Sequence, residues 1–203
     1  MAKVGFIDNK MRQVDGLWDD ISVKWNEMFS KELTAAGIIE PLFEMFMNDG
    51  FGSLGVAKWL FLPVGPPYMS LFFTVEIPHN WKVGTAIWPH VHFSTDWMGG
   101  PPGDVGWQLE YTIAEPGAVF PPTILLPLIS PTLGVPLLHE YTIPPASSPI
   151  IVPSTSTDVD AIMQCRISRF EVPDTYPGGV YLHSVGFHYL RDDIGSYYEW
   201  SKE

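Results

Sequence analysis

The chain carries one cysteine, Cys165, in 203 residues, and few basic groups, with 11 Lys and Arg against 23 Asp and Glu. A single thiol excludes an internal disulfide framework and any zinc cluster built from several cysteines. The formal net charge is −12, and between Lys82 and Arg166 there is no Lys or Arg at all, only seven acids. A surface for nucleic acid needs clustered cations to neutralise phosphates, so nucleic acid is not expected as a partner. Long uninterrupted apolar runs are missing too. The most apolar stretch, residues 53–77, is broken by Lys58, Pro63, Pro66 and Pro67, which is not the pattern of a membrane span. The first residues turn polar without the apolar centre of a signal peptide. Neither a membrane partner nor signal-directed secretion is expected.

Apolar residues, proline and glycine are abundant. Hydrophobic residues make up 46 % of the chain and charged ones 17 %, which suffices to fill a core. The 20 prolines and 18 glycines argue against a mostly helical protein, because both break helix interiors. The first 50 residues read differently. Trp18, Ile21, Trp25, Met28 and Phe29 recur at helical spacing behind a possible Asp19 or Asp20 cap, and Leu42, Phe43, Phe46 and Met47 repeat the pattern. The division expected is a helical segment over 1–52, an attachment or packing arm, followed by a β domain over 53–203.

Beyond Lys58 the period becomes two. Met69, Leu71, Phe73, Val75 and Ile77 share one face, as do Trp107, Leu109, Tyr111 and Ile113, and Met163, Cys165 and Ile167. Alternation with one polar face marks half-buried antiparallel strands, and turn clusters such as Pro177-Gly178-Gly179 separate them. Seven or so strands of this kind predict a mainly β fold, an antiparallel sandwich of jelly-roll type. Residues 116–153 hold half of the prolines while staying apolar. Proline cannot donate to a ladder, so this excursion is expected outside any central strand, with edge strands at most. Phe120, Ile124, Leu125, Leu126, Leu128 and Ile129 would be wet on a monomer, and exposed apolar patches mark interfaces.

The sharpest motif is Trp88-Pro-His90-Val-His92-Phe93. Positions i and i+2 of a strand face one way, so His90 and His92 stand side by side. They could join a subunit interface, or begin a metal site completed by His188 with Glu110 or Glu140; the spacing matches no established ligand pattern, and no cofactor is expected. Asp104, Glu110 and Glu115 could pair for glycoside hydrolysis but read better as a solvated acidic face. Ser184 lacks a Gly-x-Ser-x-Gly elbow, and Cys165 sits on an apolar face. Trp88, Trp97 and Trp107 could stack on sugars, or pack in a core or interface.

The ordered set Pro89-His-Val-His-Phe93, Gly106-Trp-Gln-Leu-Glu-Tyr-Thr-Ile-Ala114, a Phe120-containing loop, Gln164-Cys-Arg-Ile-Ser-Arg169 and Phe187-His-Tyr-Leu-Arg-Asp-Asp-Ile-Gly-Ser-Tyr197 resembles a family of structural proteins of tailed bacteriophages and prophages. The resemblance spans residues 86–200. It implies a virion location, a non-enzymatic role in capsid decoration, a head spike or the tail, other virion proteins as partners, and a homo-oligomer, specifically a trimer. Two other classes stay open: a receptor- or carbohydrate-binding module using exposed aromatics, and a cupin-like metal enzyme using His90, His92 and His188.

Overall fold

The computed structural model describes residues 17–24, 27–29, 38–46, 56–63, 68–96, 98–142, 149–152, 161–170 and 174–191. Two sheets are formed from twelve strands: β1 (Leu17–Lys24), β2 (Ile38–Ile39), β3 (Leu42–Phe46), β4 (Val56–Phe61), β5 (Tyr68–Glu76), β6 (Ala86–Thr95), β7 (Gly103–Ala114), β8 (Ile124–Thr132), β9 (His139–Tyr141), β10 (Ile150–Ile151), β11 (Ile162–Arg169) and β12 (Val180–Arg191). One sheet runs β10-β6-β12-β4-β3, with β1 on β12 beside β4 and β9 on β6. The other runs β2-β5-β11-β7-β8. All pairs are antiparallel except β2 with β5.

The alternating runs put their apolar sides between the sheets. Leu71, Phe73, Val75, Trp107, Leu109, Ile113, Met163 and Ile167, the core expected from period two, are all buried. Across the gap Phe61 meets Trp107 edge-on at 5.3 Å between ring centroids, Phe93 meets Trp107 at 6.0 Å and Phe73 meets Phe187 at 6.3 Å. The Gln108, Glu110 and Thr112 side of β7 is only half-buried, as a one-sided sheet requires.

The helical reading of the N-terminal region is corrected. Residues 17–24 form a strand that pairs with β12 over its whole length, from Leu17 opposite Arg191 to Lys24 opposite Ser184. Ile21 and Val23 stand opposite Phe187 and Val185 and turn inward with them. The β-branched pair at spacing two outweighs the looser three-and-four spacing of Trp18, Ile21 and Met28, because β-branched side chains suit a pleated surface. Leu42–Phe46 is likewise a strand, on β4. Trp25 and Met47 lie outside the described residues.

The proline-rich excursion contributes β8. It pairs with β7 from Tyr111 opposite Ile124 to Gly103 opposite Thr132 and closes its sheet as an edge strand, the position that tolerates Pro127 and Pro131. From Leu125 onward its alternation is strict: Leu126, Leu128, Ser130 and Thr132 point inward, and Leu125, Pro127, Ile129 and Pro131 outward.

Candidate functional site

The outer face of the first sheet gathers histidines. On β6, Val91 and Phe93 enter the core, so His90 and His92 stand on the opposite side. The register of β12 sets Gly186 opposite His90 and Ser184 opposite His92, and β9 brings Tyr141 opposite His92. A bulge between Leu182 and Ser184 adds His183, whose ring nitrogen lies 3.0 Å from Ser94 Oγ. Five of the chain's six histidines thus form one row. His188 stacks on His90 with centroids 4.1 Å apart, His90 meets His92 edge-on at 4.9 Å, and His92 Nδ1 lies 3.0 Å from His139 Nε2. The His139 and His183 rings follow at 5.8 Å.

The end of the row holds an acid that sequence spacing had not pointed to. β1 places Asp20 opposite His188, and its Oδ1 lies 3.6 Å from His188 Nδ1 and 3.9 Å from His90 Nε2. The same oxygen accepts the Phe187 N–H at 3.1 Å. Gly186 makes this approach possible: a Cβ there would collide with Cε1 and Nε2 of His90. Gly186→Ala is therefore expected to cost about 1–3 kcal/mol, the usual penalty for overpacking. Urea denaturation checks it, with the neighbouring exposed Ser22→Ala as control; equal midpoints for both would contradict the placement of the ring.

The row is electrostatically unusual. His90 is 2 % exposed, and burial, followed by the charges that His188 and His92 would carry, pushes its pKa down to about 3. Burial, then Lys58, His139 and His92, lower His183 to about 4. His92 is lowered for the same reason, burial first and His139 next. Burial raises the pKa of Asp20, against the opposing Phe187 hydrogen bond. At neutral pH His90, His92 and His183 are uncharged, each with one ring lone pair.

The other candidates disperse. Glu110 pairs with Arg166 and accepts the Thr123 hydroxyl at 2.6 Å, while Glu140 accepts the Leu133 N–H at 2.9 Å, so neither is the carboxylate of the histidine row. Asp104 and Glu110 are six residues apart on β7, about 20 Å along a strand and far beyond a glycosidase pair. Ser184 stands opposite His92 in the ladder. Cys165 is buried, and burial raises its thiol pKa strongly, which removes the thiolate a nucleophile needs. Trp107 is core, Trp88 packs on Trp18 at 5.0 Å, and Trp97 lies outside the described residues. Of the apolar set in the excursion, Leu126 and Leu128 are buried in the chain's own core, whereas Phe120, Ile124, Leu125 and Ile129 are exposed.

A concavity of about 340 Å³ opens beside Glu110, Thr112, Gln164 and Arg166 of the other sheet, under the rings of Phe29 and Phe72. Those rings stack at 5.7 Å, and a two-way backbone bridge between the same residues holds them there. Nothing in the spacing of the two phenylalanines, 43 positions apart, announces this pairing.

Comparison with known protein families and with curated protein sequences gives no match. Among solved structures, a chain from the structure of infectious bursal disease virus Gx strain is similar over 96 % of this chain, at 9 % identity and a TM-score of 0.40; the chain spans only 38 % of that protein's length. Caldicellulosiruptor saccharolyticus CBM27-1, solved in complex with mannohexaose, is similar over 83 % of this chain and 96 % of its own, at 10 % identity and a TM-score of 0.36. Likenesses this distant carry no argument about what the chain does.

Proposed function

We propose that this protein is a non-enzymatic structural subunit of a tailed-phage virion, a sandwich of jelly-roll type that closes into a homotrimer and joins other virion proteins on the capsid or tail. The observation that carries the assembly reading is the apolar edge at and around β8. Val119 is 91 % exposed, and Phe120, Ile124, Leu125, Ile129 and Leu133 are exposed beside it. Leaving such side chains in water forgoes about 1.5–3 kcal/mol each. The strand that carries three of them also ends its sheet, so its outer backbone edge is a template for a neighbour. A closed rotational assembly covers the patch and the edge together. The virion location rests on the ordered motif resemblance over residues 86–200. The absence of catalysis is read from the dispersed acids and the buried thiol.

Native mass spectrometry of the full chain at micromolar concentration tests this reading. A trimer is expected, and replacing Leu125 and Ile129 together by Asp should dissociate it while leaving the circular dichroism of the sandwich unchanged. Both side chains point away from the core, so the fold does not need them. A wild-type monomer whose 119–138 segment resists hydrogen exchange would overturn it.

The aromatic-walled concavity favours a second reading, a carbohydrate-binding module. Phe29 and Phe72 offer a ring platform, and the Arg166–Glu110 pair and Gln164 offer polar groups beside it. Glycan binding that Phe72→Ala abolishes would favour this reading over the first.

A further inference from the structure

From the convergence of three side chains on adjacent strands, we infer that Asp20, His90 and His188 form a binding site for a single divalent transition cation of the zinc class. Their ligand atoms all lie within 4.8 Å of one another. The separations from Asp20 Oδ1, 3.6 Å to His188 Nδ1 and 3.9 Å to His90 Nε2, are too long for hydrogen bonds. They are close to the separation of about 3.3 Å between neighbouring ligands on a tetrahedral ion with bonds of about 2.0–2.1 Å. Three ligand atoms brought this close lie within reach of a single cation.

The surroundings match what such a site needs. Asp20 is oriented by the Phe187 N–H, and its Oδ1 retains a lone pair. Gly186 clears the path that lets the His90 ring lie across β12 towards the acid. The His90 and His188 rings are stacked at 14°, so their lone pairs run parallel rather than convergent. On binding, His188 turns about χ2 to aim its lone pair at the ion; its side chain is 18 % exposed against 3 % for His90, so it is the less enclosed of the two rings. Asp20, with 39 % of its side chain exposed, leaves the fourth position open to water. His92, the other half of the His-x-His motif, is taken by His139 and lies outside the set.

The test is titration of the full chain, expressed without an affinity tag and stripped with chelator, with Zn²⁺ by calorimetry and with Co²⁺ by visible absorption. One equivalent is expected, with Co²⁺ bands of low-symmetry four- or five-coordination. Asp20→Asn and His188→Asn, near-isosteric changes at partly exposed positions, should each weaken binding about 100-fold or more. His139→Ala should leave it unchanged. Zn²⁺ should raise the thermal midpoint of the wild type but not that of His188→Asn, which shows that the variant is folded and only the site is lost. No binding at about 100 µM cation, where an affinity near 1 µM saturates, would overturn the proposal. So would binding lost in His139→Ala but retained in Asp20→Asn, which would place the ion on the His92–His139 pair.

Discussion

Arg169→Ala should destabilise the fold by about 3–5 kcal/mol, because it removes one half of a buried ion pair and leaves the charge of the other uncompensated. The Arg169 side chain is 2 % exposed and that of Asp174 is 6 %. Nε donates to Asp174 Oδ2 at 2.5 Å, and one terminal nitrogen donates to Oδ1 at 2.9 Å, the two-point fork that only a guanidinium makes. The remaining donors reach the carbonyls of Tyr176 at 2.5 Å, Gly178 at 2.6 Å and Phe61 at 3.2 Å. One side chain at the end of β11 therefore fastens residues 174–178, which lead into β12, to β4 in the opposite sheet. The Thr175 and Tyr176 N–H groups complete the fastening on the Asp104 carbonyl at 2.8 and 2.9 Å. Arg169→Lys should recover little, since an ammonium cannot satisfy a carboxylate fork and three carbonyls at once. Urea denaturation with Asp174→Asn and the double variant gives the coupling. A loss below about 1 kcal/mol for Arg169→Ala would mean that the network adds little to stability.

Acidification should weaken the metal-free fold from about pH 6.5 downward. His183 titrates at about 4 in the folded chain, against an ordinary value of 6.5. A histidine whose folded pKa is depressed binds fewer protons folded than unfolded. Its contribution to stability is therefore intact above pH 6.5 and is lost as the pH falls through 6.5 towards 4. A shift of this size corresponds to about 2–3 kcal/mol over the window, after allowance for partial exposure of the ring. Burial sets it first, and the groups that add to it face His183 from three strands: Lys58 on β4, His139 on β9 and His92 on β6. His90 and His92 are displaced in the same direction, while Asp20, whose pKa is raised, acts the opposite way. Urea midpoints in chelator at pH 7.5, 6 and 5 measure the slope. His183→Gln, which keeps a polar group near Ser94, should flatten it; a wild-type midpoint constant from pH 7.5 to 5 would refute the burial of this row as the cause.

Period-two alternation was enough, without any structure, to identify the strands carrying Leu71, Trp107 and Ile167, because a half-buried strand writes its two faces directly into consecutive residues. The edge position of the proline-rich excursion was legible for a related reason: Pro127 and Pro131 lack the N–H a central strand must donate. The His90/His92 pair could be placed on one face by the same counting. Three features could not be read this way. Residues 17–24 carried both a helical and an extended pattern, and only the partner β12 decided between them by giving Ile21 and Val23 a core to enter. The acid beside His90 is 70 positions away in sequence, and strand register alone brought Asp20 there, with Gly186 leaving the space. Arg169 and Asp174 are enclosed together only because the chain folds back past the end of β11. Local periodicity encodes which way a side chain faces. Which side chains meet depends on pairing between distant strands, where loop closure and core packing choose the partner, and no spacing in the chain records that choice.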